Sequence, residues 1–392
     1  MKPEELKIES PLTQMLLNKA SMINIPMSGT FELTPMCNFA CKMCYVRKTA
    51  EDIKNHTREM MTLEEWIHLA EEAKKAGLLY LLLTGGEPFA WPHFWELYDV
   101  LSDMGFLISI NSNGSLINEQ VIERLKEKPP IRINITLYGY GDESYQKLCG
   151  VQGMFSRVDK AIKMLQEENI SVKLNGSLTP ENVKDLEACI AYAEERNLIY
   201  EVNTYMFPPV RRDETLVGKN ERFTPEEAAY YRLKSFRLQY GQDRYHAFMQ
   251  MVSKGSVPPM GLDESCVDPR DGRIRCRAGK ASFWVTWDGK ITPCGMMPRP
   301  DIDIRNKSFV QAWDELVEES EKLCLSGICQ KCANKAICHA CAAMAMSETG
   351  EADGMPVYLC QMVEAIREMA RLEMDGKPFP KEPIKKYPKG GN

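Results

Sequence analysis

From about residue 30 to residue 205, short apolar runs alternate with longer stretches whose apolar positions recur at helical spacing. The apolar runs 30–34, 79–83, 106–111, 131–137, 171–178 and 199–205 read as strands. Between them the clearest helix begins at Thr62, with Glu65 three residues on to complete a capping box, and stops at Gly77. Helical patterns also cover 91–105 and the stretch from Pro180 to Glu195. Strand alternating with helix implies a parallel sheet, because each parallel return needs a crossover. Six such units are too few for an eight-fold barrel, which leaves a partial (β/α)6 barrel or an open α/β sheet.

Beyond residue 205 the rhythm breaks. Segment 206–255 begins with Pro208 and Pro209, continues through a charged turn at 211–214, and then shows a helix over 224–240; it reads as a bridge. The region 256–375 shows little apolar periodicity and holds nine cysteines, so bound metal is expected to stabilise it. The final DGKPFPKEPIKKYPKGGN is rich in Pro, Lys and Gly and is expected to be loosely ordered. The expected organisation is an N-terminal segment (1–29), an α/β barrel unit (30–205), a bridge (206–255), a cysteine-rich unit (256–375) and a tail (376–392).

Composition narrows the function. The 392 residues are 44% hydrophobic and 27% charged, with 49 Lys and Arg against 55 Asp and Glu, a net charge of −6. That balance gives no general nucleic-acid footprint. The N-terminus has no signal-peptide core, and the best apolar run, LLYLLL at 78–83, is far short of a membrane span. A cytoplasmic protein with neither a nucleic-acid nor a membrane partner is expected. Fourteen cysteines in a chain neither small nor secreted read as metal or cluster ligands rather than disulfides. Five scattered histidines are too few for mixed Cys/His zinc sites, so iron–sulfur chemistry leads.

Cys37, Cys41 and Cys44 stand as C-x3-C-x2-C directly after the first strand. Three thiolates can hold three irons of a four-iron cluster, whereas full protein ligation takes four, so one iron stays open to a ligand. The loop at a barrel strand's C-terminal end is where such folds carry chemistry. After the second strand comes Thr84-Gly85-Gly86-Glu87-Pro88: the glycines allow close backbone approach, and Glu87 offers an acceptor for an ammonium group. The third strand ends in Asn111-Ser112-Asn113-Gly114, whose polar groups can bond hydroxyls or a carboxylate but also make an ordinary turn.

With this spacing the segment CNFACKMCY closely resembles the radical SAM superfamily. The resemblance implies that the open iron chelates S-adenosylmethionine (SAM). One electron, from a flavodoxin- or ferredoxin-type donor, then cleaves the sulfonium to a 5′-deoxyadenosyl radical that abstracts hydrogen from the substrate. It also implies that Gly85, Gly86 and Glu87 hold the methionine amine and that Asn111, Ser112 and Asn113 contact the ribose. Met43, where the family often has an aromatic residue, and Tyr45 would lie near the adenine. Thr136-Leu137-Tyr138-Gly139 and CGVQGMF (149–155) resemble peptide-modifying members, in which Tyr138 would line the substrate pocket; as a plain strand residue it is a half-buried aromatic.

Further along, Cys276 and Cys294 flank Gly289, and Cys329-x2-Cys332-x5-Cys338-x2-Cys341 precedes Cys360. With Cys266 these make eight thiolates, enough for two more four-iron clusters, and only Cys324 of the region is left over. A zinc ribbon built on CQKC and CHAC would leave Cys266, Cys276, Cys294 and Cys360 unused. The segments CRAGKASFWVTWDGKITPC and CQKCANKAICHAC resemble the SPASM domain, a C-terminal extension of radical SAM enzymes that carries auxiliary clusters. The resemblance implies Cys266, Cys276, Cys294 and Cys341 for one cluster and Cys329, Cys332, Cys338 and Cys360 for the other, hence three [4Fe–4S] clusters together with SAM. The x2 spacing before Cys341 departs from the family's x3; without Cys266, one auxiliary iron would be open to substrate. Cys149, Cys189 and Cys324 fit no motif and read as small buried side chains.

Enzymes of this type include ribosomal peptide maturases, sulfatase-maturing enzymes that form formylglycine, and enzymes of haem and alcohol metabolism. Sulfatase maturases tend to carry Asp after the equivalent of Cys294, where this chain has Gly295. The expected function is therefore a peptide-modifying oxidase, a peptide maturase forming a thioether or carbon–carbon cross-link while the auxiliary clusters take the surplus electron. The alternatives are modification of a small molecule such as a tetrapyrrole, a formylglycine-forming enzyme, or a non-enzymatic iron–sulfur carrier. Only 36 residues precede Cys37, too few for a leader-binding fold, so a separate leader-binding protein or a substrate without a leader is expected. No residue stands out as the catalytic base.

Overall fold

The computed structural model describes residues 10–255, 272–274 and 276–384. All six expected strands form, each within a few residues of its sequence pattern: β1 (Ser28–Glu32), β2 (Tyr80–Thr84), β3 (Leu107–Ser112), β4 (Arg132–Thr136), β5 (Val172–Ser177) and β6 (Ile199–Asn203). They pair in parallel in chain order, with Glu32 level with Thr84, Asn111 level with Asn134 and Ser177 level with Asn203. The far side of β1 does not close onto β6. It takes up β7 (Ser282–Val285) in parallel, and β8 (Lys290–Thr292) and β9 (Ile302–Asp303) follow antiparallel, giving the order β6-β5-β4-β3-β2-β1-β7-β8-β9. The result is an open partial barrel in which one sheet runs from the βα units into the cysteine-rich region.

The helices are α1 (Pro11–Met22), α2 (Ala50–Lys54), α3 (Leu63–Lys75), α4 (Phe94–Asp103), α5 (Glu119–Glu127), α6 (Asp142–Cys149), α7 (Met154–Glu167), α8 (Leu186–Glu195) and α9 (Pro225–Lys254). In the C-terminal region follow α10 (Phe309–Glu321), α11 (Gly327–Gln330), α12 (Ala342–Thr349) and α13 (Val357–Met374). The expected capping box at Thr62 and Glu65 is present in both directions and starts α3. Along each strand one face carries Phe31, Leu83, Ile110, Ile133, Ile135 and Leu174, all buried in the core. The alternate positions, such as Ser109, Asn111, Asn134, Lys173 and Asn175, face the concave side.

The helix expected over 224–240 ends as expected: Gly241 (φ 71°, ψ 165°) is non-helical, and a second helix follows it to Lys254, the two joined across a kink as α9. Two expectations need correction. The region 256–375 is not without apolar periodicity: α10 buries Phe309, Ala312, Trp313 and Leu316, and α13 buries Leu359, Met362, Val363, Ile366, Met369 and Ala370. These helical faces lie between and after the cysteine segments, whose composition masks them. The start of the tail is also held: Phe379 stacks on Tyr230 with centroids 5.3 Å apart, and the Tyr230 hydroxyl donates to the Lys381 carbonyl at 2.8 Å. Residues 385–392 lie outside the described residues. Among those described, no helix is long and apolar enough to cross a membrane.

Candidate active site

The first thiol group hangs from the C-terminal end of β1. Cys37, Cys41 and Cys44 are partly buried and close enough that Cys41 and Cys44 act electrostatically on Cys37, and Cys41 on Cys44. Backbone N–H groups aim at two of the sulfurs: Phe39 N donates to Cys37 Sγ at 3.3 Å and Arg47 N to Cys44 Sγ at 3.2 Å. Such donors suit sulfurs that carry negative charge. Burial pushes the Cys37 thiol up to about 12. Cys41 is pulled the other way, chiefly by a hydrogen bond with Cys149, and also by one with the Tyr138 hydroxyl. Cys149 is buried as expected, but its thiol meets Cys41 and its carbonyl accepts Ala40 N at 2.8 Å. Sequence reading missed this contact; the signal available was a cysteine closing the helix before a CGVQG turn.

The glycine pair packs directly on that loop. Gly86 N donates to the Thr34 carbonyl at 2.7 Å and Glu87 N to the Met36 carbonyl at 2.9 Å. A Cβ on Gly86 would lie 2.2 Å from the Met36 carbonyl oxygen and 2.9 Å from Cys37 Cβ, so only glycine permits this approach. The Glu87 carboxylate is fully buried and already bonded within the chain. It accepts from Ser112 Oγ at 2.9 Å, from Asn113 N at 2.8 Å and from Phe89 N at 3.3 Å. Burial pushes its carboxyl up to about 7 against these three donors. Asn113 in turn donates to Asn38 Oδ1 at 2.9 Å and to Cys37 Sγ at 3.7 Å. Glu87, Ser112 and Asn113 thus form a brace between the ends of β2 and β3 and the cysteine loop. Asn111 sits lower, its Oδ1 accepting Asn134 Nδ2 at 2.8 Å. Met43 packs at the edge of the core. Tyr45 lies beneath Arg211, whose guanidinium carbon is 5.8 Å from the ring centroid, and burial raises its hydroxyl well above the usual range.

The remaining cysteines gather into two further groups. Cys276, Cys294 and Cys341 lie close enough for their charges to act on one another. Met296 N donates to Cys294 Sγ at 3.5 Å. Cys266 lies outside the described residues. Cys329 and Cys360 interact with each other, and both with Cys332, while Cys360 also senses Cys338. Asn334 N donates to Cys332 Sγ at 3.4 Å. Cys324 pairs with Arg273 in an isolated antiparallel bridge, and Cys189 is buried. Among the described residues no three His, Cys, Asp or Glu side chains converge on a single metal ion. The thiols nevertheless form separate groups with N–H groups aimed at their sulfurs, a donor set that fits iron–sulfur clusters.

A cavity of about 680 Å³ enters the concave side from the opposite end, among the starts of the strands and beneath α1, lined by Thr13, Tyr80, Ser109, Asn134 and Lys173. It is remote from the cysteine loop and is not the SAM site. Nearer the loop, the inner face carries Thr136 level with Asn175 and Ser177 level with Asn203. Among the described residues, no hydrogen bond uses the side-chain amide of Asn175 or Asn203.

An open parallel barrel with a thiol triad at the end of its first strand, braced by glycine-rich and asparagine-rich strand ends, defines an α/β protein whose donor set suits an iron–sulfur cluster at that end. Residues 31–193 match the model of the radical SAM superfamily. These residues form a radical SAM domain, a cysteine-rich C-terminal extension follows it, and the family implies SAM and a SAM-binding [4Fe–4S] cluster. The chain is 24% identical over 344 residues to the AdoMet-dependent heme synthase of Methanosarcina barkeri, covering 84% of this chain and 95% of that protein. It is also 24% identical over 276 residues to AlbA, the antilisterial bacteriocin subtilosin biosynthesis protein of Bacillus subtilis. That match spans 70% of this chain and only 56% of AlbA. The fold is shared with Streptococcus suis SuiB bound to its precursor peptide SuiA, at a TM-score of 0.63 and 16% identity, over 91% of this chain and 82% of SuiB.

Proposed function

We propose that this chain is a radical SAM oxidoreductase acting on a peptide, a maturase that installs a thioether or carbon–carbon cross-link, working in the reducing cytoplasm. Cys37, Cys41 and Cys44 would hold the SAM-binding cluster. Cys276, Cys294 and Cys341, with Cys266, and Cys329, Cys332, Cys338 and Cys360 would hold two auxiliary clusters. When bound, SAM and the first cluster supply the radical that removes a substrate hydrogen. The chain's own part is to brace the cysteine loop through Gly86 and Glu87, and to present the substrate from the inner face of the barrel.

The observation that carries the choice of a peptide is that inner face. Thr136, Asn175, Ser177 and Asn203 put hydroxyls and side-chain amides where a substrate would lie between the strand ends. Amide groups match the donors and acceptors of a peptide backbone. Against the apolar face of a tetrapyrrole each would be cut off from water with no partner in exchange, at about 1–3 kcal/mol apiece. Gly295 adds a second argument, against formylglycine chemistry: a Cβ there would lie 2.7 Å from the Trp284 ring, so no base can project from this position. The tetrapyrrole reading keeps one support, the near-full-length match to a heme synthase. The two are separated by measuring anaerobic release of deoxyadenosine from SAM with either added short peptides encoded beside the gene or an iron porphyrin. Stimulation by a peptide supports the proposal, and stimulation by the porphyrin alone overturns it.

A further inference from the structure

At the end of β1 the Glu32 carboxylate is fully buried and bonded by three N–H groups. Arg211 holds it bidentately, Nη1 to Oε2 at 3.0 Å and Nη2 to Oε1 at 2.9 Å, and Trp284 Nε1 donates to Oε2 at 2.9 Å. Arg211 Nη1 also donates to the carbonyl of Gly295, the residue after Cys294, at 2.7 Å. Next along the chain, the Arg212 carbonyl accepts Lys48 Nζ at 2.7 Å, four residues beyond Cys44. Residues 211 and 212 are therefore fastened on one side to the strand and loop of the first thiol group, and on the other to the loop of the second. Tyr45, directly after Cys44, lies under the same guanidinium.

A buried ion pair is weak evidence of added stability, because desolvating two charges offsets much of their attraction. What a bidentate pair does supply is fixed geometry. The pair is also polarised: Glu32 sits on the β1 side, and the guanidinium edge donates to the Gly295 carbonyl. Charge and hydrogen bonding beside a cluster are two of the factors that set its reduction potential.

We propose that Arg211 is a positioning residue that locks the Cys276–Cys294–Cys341 group against the SAM-binding loop and makes the one-electron reduction of the centre held there easier. This rests on the reading that the second thiol group holds an iron–sulfur cluster. The test uses the full chain with Cys37, Cys41 and Cys44 replaced by Ala, so that only auxiliary centres contribute, reconstituted anaerobically with iron and sulfide. Iron per chain and an EPR-monitored reductive titration with dithionite are compared for this parent and for Arg211→Lys and Arg211→Met in the same background. The midpoint of one auxiliary centre should move to more negative potential in Arg211→Met and by less in Arg211→Lys, with the other centre unmoved. A purely structural role would not produce that order. Unchanged midpoints in Arg211→Lys, the variant that keeps the charge but loses the fork, and in Arg211→Met where it still loads iron, overturn the proposal alone. A parent that binds no iron overturns the auxiliary-cluster reading and the proposal with it.

Discussion

Replacing Gly86 by alanine should uncouple the SAM site while leaving the rest of the protein intact. The added Cβ would sit 2.2 Å from the Met36 carbonyl oxygen, 2.6 Å from its carbon and 2.9 Å from Cys37 Cβ, where ordinary contact begins at 3.4 Å. Backbone atoms cannot swing aside as a side-chain tip can, so the cysteine loop must retreat by about 1 Å, a shift that can cost ~100-fold in rate. Overpacking of this kind destabilises by about 1–3 kcal/mol, well within what a chain of this size tolerates. Gly327→Ala is the control, since nothing lies within 4 Å of a Cβ there. The assay is deoxyadenosine released from SAM under dithionite, with iron counted per chain. Gly86→Ala should lose about two orders of magnitude in rate and keep the iron of the C-terminal thiol groups, while Gly327→Ala matches the parent. A Gly86→Ala rate within about threefold of the parent would refute the inference that this backbone contact sets the loop's position.

Three other outcomes follow from the same geometry. Because burial raises Glu87 from 4.5 to about 7, the folded state binds the extra proton between those values, and stability falls as pH rises through that window by about 3 kcal/mol. Urea unfolding at pH 5 and pH 8 should show this loss in the parent and not in Glu87→Gln; equal pH dependence contradicts it. Gly295→Asp, which would put a carboxylate directly after Cys294, should cost about 1–3 kcal/mol because of the Trp284 ring and confer no formylglycine formation; formylglycine in a Cys- or Ser-containing peptide contradicts it. Anaerobic protein should hold about twelve irons, and alanine at Cys37, Cys41 and Cys44 should remove about four; a parent with about four irons in all contradicts the auxiliary assignment.

The sequence made the strands, the first thiol group and the glycine turn legible because each is local: a strand, a turn and three cysteines lie within a few residues of one another. The grouping of Cys276, Cys294 and Cys341 joins segments that spacing alone cannot bring together, and it became readable only through the family resemblance. The Glu32, Arg211 and Trp284 cluster was not legible, since its partners stand 179 and 252 residues apart. Nor was the turning of Glu87 towards β3, which depends on how β2 and β3 end side by side. Some signals were present but unused. Asp288-Gly289 between SFWV and KIT is a hairpin turn signature, and Ser308 with Gln311 is a capping box; together they announce β7, β8 and α10 inside the cysteine-rich region.

The central claim, radical chemistry on a peptide, is tested most directly by mass. The holoenzyme would be incubated anaerobically with SAM, reductant and a short peptide encoded beside its gene, and the peptide weighed before and after. Loss of two hydrogens, with fragmentation placing a new cross-link, is the predicted result. An unchanged peptide under conditions where an iron porphyrin is consumed would contradict the account.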